Sequence, residues 1–247
     1  MKVFFRKLHR WLGLLVGVQI IAWMASGLYF SLFPIEEIRG ENLTRPAEPP
    51  AADQLLSLGP PSVLKETLDR HLSPGWALQA ATVVRCGDAV CWRISGSEGE
   101  NPFTRLVSAD GSRVLAQLDA GEARRRAADW LREPGEIDAV SWLEGPSAPG
   151  EIRGRPLPVW RIDFRVPKSL SLYLDPWTGE VLARRTDRWR LFDFFWMLHI
   201  MDFEDREDFN HPLLQVAAGL GLVVALSGIV FWAMTTRLFR RRRVARS

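Results

Sequence analysis

A chain of 247 residues with 47% hydrophobic content and eleven Trp can bury a sizeable core, which excludes a disordered polymer. Its net charge is only +3, but the first 33 residues and the last eleven hold ten Lys and Arg and no acid, which leaves 22 basic against 29 acidic residues between them. An acidic middle excludes nucleic-acid binding as the meaning of the basic ends; basic ends beside apolar runs instead follow the positive-inside rule, with both termini cytoplasmic.

After a cytoplasmic start at residues 1–10, residues 11–33 (WLGLLVGVQIIAWMASGLYFSLF) carry no charge. As a helix they extend roughly 34 Å, enough to cross a ~30 Å hydrocarbon core. Pro34 stops the segment. A cleaved signal peptide is the rival reading, because Ala25-Ser26-Gly27 imitates a cleavage site. The apolar run continues through Leu28, Tyr29 and Phe30, so a retained helix fits better. His9, Gly13 and Gly17 recur every four residues and share one helix face. The glycines there would leave room for a flat macrocycle beside an imidazole ligand. The competing readings are an interfacial histidine and a small-residue packing seam, either between the two spans or between two copies.

Residues 34–60, rich in Pro and Ala, read as a linker. Residues 61–118 then begin with a helical segment at 61–73, with Val63, Leu64, Leu68 and Leu72 at helical spacing. ALQAATVVRC and CWRISG flank Gly87-Asp88 as one hairpin, and TRLVS and RVLAQL flank residues 109–111 as a second. Residues 119–190 restart the order, with a helix at 121–132 and strands near 137–143, 157–166, 169–175 and 180–185. Trp92-Arg93-Ile94 recurs as Trp160-Arg161-Ile162 at an offset of 68, and Val114-Leu115-Ala116 as Val181-Leu182-Ala183 at 67. A fixed long offset predicts two copies of one unit, each a helix on an antiparallel sheet.

Cys86 and Cys91 are the only cysteines and stand on either side of the first hairpin turn. In an oxidising compartment they predict a structural disulfide across the hairpin. A redox pair is the alternative, although the spacing is not CxxC.

Residues 191–211 supply an apolar run too short to span the bilayer, followed by the acidic loop EDREDFNH. The run reads as an interfacial helix with Phe194, Phe195 and Trp196 at the surface. The loop acids near His211 could meet a cation, and a solvated loop is the plainer reading. Residues 212–234 form the second span, opened by Pro212 and carrying a small seam at Ala217, Gly221 and Ala225. Residues 235–247 are a basic cytoplasmic tail. The resulting fold class is an α+β membrane protein, two transmembrane helices flanking a periplasmic domain of two repeats.

The segment LPVWRIDFRVPKSLSLYLDPWTGEVLARR, with its strand, L-Y-x-D turn and T-G, resembles a PepSY domain. RKLHRWLGL at the first span and WMLHIMDF before the second resemble PepSY-associated transmembrane proteins, in a small two-helix branch. Larger relatives have four or more helices, and some are ferric-siderophore reductases whose membrane histidines hold haem. The resemblance therefore implies haem b with His9 and His199 as candidate ligands. His211, also at a membrane boundary, is a third candidate, and His71 in a polar helix is expected to be exposed. His9 belongs to the cytoplasmic side and the other two to the opposite side, about 30 Å away. A bis-histidine site then needs His199 with His211, one histidine from each of two subunits, or a partner's ligand.

No GxSxG, HExxH, phosphate loop or nucleotide fingerprint occurs, so no catalytic residue is assigned. Two functions compete. One is a haem-binding or haem-partnered subunit of the bacterial inner membrane, for transmembrane electron transfer linked to ferric-complex reduction. The other is a cofactor-free, membrane-tethered module that binds, restrains or assembles an envelope protein. Both imply the bilayer and an envelope partner or a homodimer.

Overall fold

A computed structural model describes residues 2–235, so the tail beyond Thr235 lies outside the described residues. In chain order it contains α1 (Lys2–Leu32), the short turns α2 (Ile35–Ile38) and α3 (Ala52–Leu55), and α4 (Pro61–His71). Then come β1 (Ala77–Cys86), β2 (Ala89–Glu98), β3 (Asn101–Ser108) and β4 (Val114–Leu115). The second series is α5 (Ala120–Trp130), β5 (Glu136–Leu143), β6 (Val159–Val166), β7 (Ser171–Leu174) and β8 (Val181–Arg185). Helices α6 (Asp187–Ile200) and α7 (Pro212–Thr235) close the order. The described residues fall into two compact units, Glu36–Trp189 being one and the segments on either side the other.

Within the central unit the duplication is explicit. Each half is a helix followed by a four-stranded antiparallel meander, in orders β1-β2-β3-β4 and β5-β6-β7-β8. In the first half Leu64 and Leu68, one turn apart on α4, pack with Leu72 against Ile94, Phe103 and Val107. In the second, Ala127 on α5 and the following Leu131 meet Ile162, Phe164, Leu172 and Leu174. Ala123 and Ala127 are fully buried, and small side chains there let the helix backbone approach the sheet. Strand β7 is covered on both faces: Leu172 and Leu174 point to the α5 side, while Tyr173 joins Ile152, Val159 and Ala183 on the other. Helix α5 starts with a reciprocal cap, Asp119 accepting from the Glu122 N–H at 2.7 Å and Glu122 from the Asp119 N–H at 3.1 Å.

Segment 34–60, read as a linker from the sequence, holds further contacts. Ile38 and Thr44 are buried, and Thr44 bridges to Leu131 at the end of α5. The Cys86–Cys91 disulfide is present, with Cα atoms 6.1 Å apart. Its register is diagonal, because Cys86 pairs with Ala89 and Cys91 with Val84. Residues two apart on one strand share a face, so the two sulfurs still meet.

In the other unit α1 and α7 each offer a stretch long and apolar enough to cross a membrane, Arg10–Leu32 and Pro212–Val230. Their outward side chains, among them Leu15, Ile21 and Met24 on α1 and Leu222, Val223 and Ile229 on α7, are exposed, as lipid-facing residues must be. The two helices pack together, and a Cβ at Gly221 would stand 3.9 Å from Val16.

Candidate functional site

The membrane unit brings His199 to α1. Helix α6 runs antiparallel to α1: Phe192 packs on Phe30 at 4.7 Å between ring centroids, Phe195 on Tyr29 at 5.3 Å, and the last turn reaches Gln19 and Trp23. Phe195 and Trp196 are therefore half-buried against other rings, and of the three aromatics expected at the surface only Phe194 is exposed. Helix α1 carries partners for the end of α6. A helix leaves its last carbonyls unpaired, which is costly in apolar surroundings. Gln19 donates to the Leu198 carbonyl at 3.4 Å and the Trp23 indole to that of His199 at 2.8 Å.

The next polar group on that face of α1 is Ser26, which is fully buried. Its Oγ lies 2.8 Å from His199 Nδ1, and the imidazole stands 5.6 Å from the Phe30 ring and 6.5 Å from that of Trp23. Gln19, Trp23, Ser26 and Phe30 thus form one stripe, at helical spacing, that receives a single imidazole. That spacing was open to inspection: two polar side chains and an indole on one face of an apolar span require partners.

The other candidates make separate contacts. His9 belongs to α1 by its backbone, and its side chain is outside the described residues. A Cβ at Gly13 or Gly17 would meet nothing within 4 Å, so this face of α1 is open among the described residues. His211 caps α7, its Nδ1 accepting from the Leu213 N–H at 3.3 Å. His71 is exposed, with Nδ1 2.8 Å from the Thr67 carbonyl of its own helix.

The acidic loop is organised around one of its own carboxylates. Asp202 is buried and accepts from the N–H groups of Glu204 and Asp205 at one oxygen and Glu207 and Asp208 at the other, all at 3.0–3.2 Å. These donors hold its carboxyl below the usual range. Arg206 pairs with Asp193, and among the described residues no three His, Cys, Asp or Glu side chains gather as a metal site.

The central unit explains the L-Y-x-D turn. Tyr173 is buried and donates to Glu151, and burial pushes its hydroxyl up. Asp175 accepts from the Trp177 and Thr178 N–H groups at 2.8 and 2.9 Å, so the carboxylate closes the turn that Gly179 completes at φ +74°. Its other oxygen takes the Arg93 guanidinium at 2.8 Å and ties the second repeat to the first. With two apolar spans, the duplicated sheet unit and this turn on the page, a family match decides the assignment: the family described as PepSY-associated TM region covers residues 6–247.

The chain belongs to that family. It is therefore a PepSY-associated membrane protein, and its two spans are the family's membrane region rather than core helices of a soluble fold. No curated protein and no solved structure matches it. In this PepSY-associated protein the residues not marked by the sequence are Ser26 and Gln19, each defined by a partner distant along the chain.

Proposed function

We propose that the protein is an inner-membrane PepSY subunit that holds haem b through His199 and helps move electrons across the membrane toward ferric complexes. One observation carries this reading: His199 is tied at Nδ1 to Ser26 Oγ, 2.8 Å away, between aromatic rings. An imidazole held this way fits an axial iron ligand, whose second ring nitrogen ordinarily needs a hydrogen-bonded partner. Haem, when bound, supplies one-electron exchange between ferric and ferrous iron. The chain's own part is to orient the ring, surround it with aromatic side chains and satisfy the nearby helix end.

His9 and Ser26 are seventeen residues apart on α1, roughly 25 Å along the helix axis. That is too far for His9 and His199 to share one iron. A second iron ligand would then come from His211 or from an imidazole of another chain, and the open face at Gly13 and Gly17 would suit a second site at His9 between two copies. The basic ends support cytoplasmic termini with the central unit, Glu36–Trp189, in the periplasm.

An absorption spectrum of the purified protein, oxidised and then reduced, tests the haem reading. The expected result is a low-spin b-type spectrum that His199→Ala abolishes. A colourless preparation, from cells supplied with haem precursor and with any partner subunit retained, would overturn it. Alkaline-phosphatase fusions test the topology, with activity expected near Gly150 and none at Ser247.

A second reading, a cofactor-free tethered module that binds or restrains an envelope protein, is favoured by strand β1. Among the described residues its outer edge has no neighbour in the sheet order, and residues 77–82 are exposed on both faces. A free edge of this kind can accept an added strand.

A further inference from the structure

The central unit contains a charged cleft that has no part in either reading. It measures about 400 Å³ and lies where the β1–β2 turn, α5 and the β7–β8 turn meet. Its lining residues include Arg45, Arg85 and Arg126 and four acidic residues, Glu180 and Asp129 among them. Among the described residues no ion pair joins any two of these seven charges. Arg45, Glu48, Asp88 and Asp129 are exposed, where water screens them, so the charges held inside the cleft are those of Arg85, Arg126 and Glu180.

The scaffold around Arg126 is visible. A Cβ at Gly87 would stand 1.7 Å from its guanidinium, and a Cβ at Gly179 would stand 3.0 Å from its Cγ. Both glycines have positive φ, +71° and +74°. Two turns, one from each repeat, thus leave room for the Arg126 side chain, and none of the described residues accepts a hydrogen bond from its guanidinium donors. Arg85 is held differently. It donates to the carbonyls of Gly87 and Glu48 at 3.1–3.3 Å, which orient the group without cancelling its charge. Glu180 follows Gly179 directly, is half-buried and forms no ion pair among the described residues, with the charges of Arg93 and Arg85 acting on it from farther off. Burial pushes its carboxyl up.

An anion alone would meet Glu180, and a cation alone would meet Arg85 and Arg126. A ligand with both signs avoids either conflict. We propose that the cleft binds a dipolar ligand, an amino acid or peptide end bearing a free carboxylate and an ammonium group, with Arg126 taking the carboxylate and Glu180 the ammonium. The cleft volume is in the range of small-molecule sites, and the fork of a guanidinium suits a carboxylate.

Isothermal titration of the full-length protein in detergent micelles tests this with glycylglycine, N-acetylglycine and glycinamide as probes. Glycylglycine should bind at least tenfold more tightly than either singly charged probe. Arg126→Gln and Glu180→Gln should each weaken it roughly tenfold or more, as loss of one charge-assisted contact does. Arg165→Gln, outside the cleft, should bind as the parent does. Free glycine separates the two sources: binding equal to glycylglycine assigns an amino acid, and weaker binding a peptide end. Absence of glycylglycine binding, or equal binding of N-acetylglycine, would overturn the proposal. Should Arg126→Gln fail to fold, Glu180→Gln alone decides, since it keeps the shape of the side chain. Neither outcome depends on haem content, so the test stands apart from the function proposed above.

Discussion

Ser26 and His199 are 173 residues apart in the chain, yet the Ser26 hydroxyl and the His199 Nδ1 lie 2.8 Å from each other. The same hydroxyl oxygen is 2.8 Å from the Ala22 carbonyl and 3.0 Å from that of Trp23, within its own helix. A hydroxyl has one proton to give, and donated to α1 it leaves Oγ as the acceptor for an Nδ1–H of His199. The imidazole is then the tautomer whose Nε2 is bare and able to ligate.

This arrangement predicts a signature that needs no cofactor. Nitrogen-15 NMR of histidine-labelled protein in micelles at neutral pH should show His199 as the Nδ1–H tautomer. Ser26→Ala should shift it toward Nε2–H and weaken the α1–α6 contact by about 1 kcal/mol. Finding Nε2–H in the parent protein would remove the argument for a pre-oriented ligand.

Arg93 and Asp175 provide a second test, because their roles are unequal. Arg93 contributes one partly buried ion pair, whereas Asp175 also accepts from two backbone N–H groups of its own turn. Asp175→Ala should therefore cost about 2–3 kcal/mol and Arg93→Ala about 1, after allowing for the solvent that reaches the arginine. Thermal melts followed by circular dichroism would measure both, and equal losses would mean that the turn bonds contribute little.

Acid should loosen the loop after α6. The Asp202 carboxyl lies below its usual range because four backbone N–H groups bind the charged form. A lowered folded value means that the stabilisation is present above the ordinary carboxylate range and is lost as pH falls through the folded value. Protection of the amides at Glu204, Asp205, Glu207 and Asp208 against hydrogen exchange, relative to unstructured amides at the same pH, should fall below about pH 4. Asp202→Asn should already exchange quickly at neutral pH; slow exchange there would place the support of the loop elsewhere.

The disulfide closes a loop with a sequence separation of five. In the chain-entropy model so small a loop contributes roughly 2 kcal/mol. The Cys86→Ser, Cys91→Ser double variant should melt earlier by that amount, as read by circular dichroism. An unchanged melt would mean that the Gly87 turn and Arg85 hold the hairpin without it.

Much of this architecture is legible in the residues alone, for local reasons. Two uncharged runs can only be satisfied as helices in lipid, and these are the cores of α1 and α7. The Gly87-Asp88 and Gly111 turns, the alternation of β6 and the helical spacing of Leu64 and Leu68 depend on neighbours a few residues away. The offset of 68 between Trp92 and Trp160 exposes the duplication without any knowledge of packing. Glycine seams are less informative, because spacing names a face and not what meets it. Gly221 faces Val16, while a Cβ at Gly13 or Gly17 would meet none of the described residues within 4 Å.

The tertiary structure alone decided the pairings that give the site its chemistry. Ser26 with His199, Arg93 with Asp175, and Arg126 against the Gly87 turn join residues whose local sequences contain no trace of each other. Helix α6 reads as a surface segment from its length and composition. What turns it onto α1 is the side chains waiting there: Gln19 and Trp23 satisfy its terminal carbonyls, and Phe30 and Tyr29 cover its rings. Periodicity reports which face of an element is apolar, but only packing brings two faces together, because each such contact is stabilised by the partner's donors and surface rather than by its own segment.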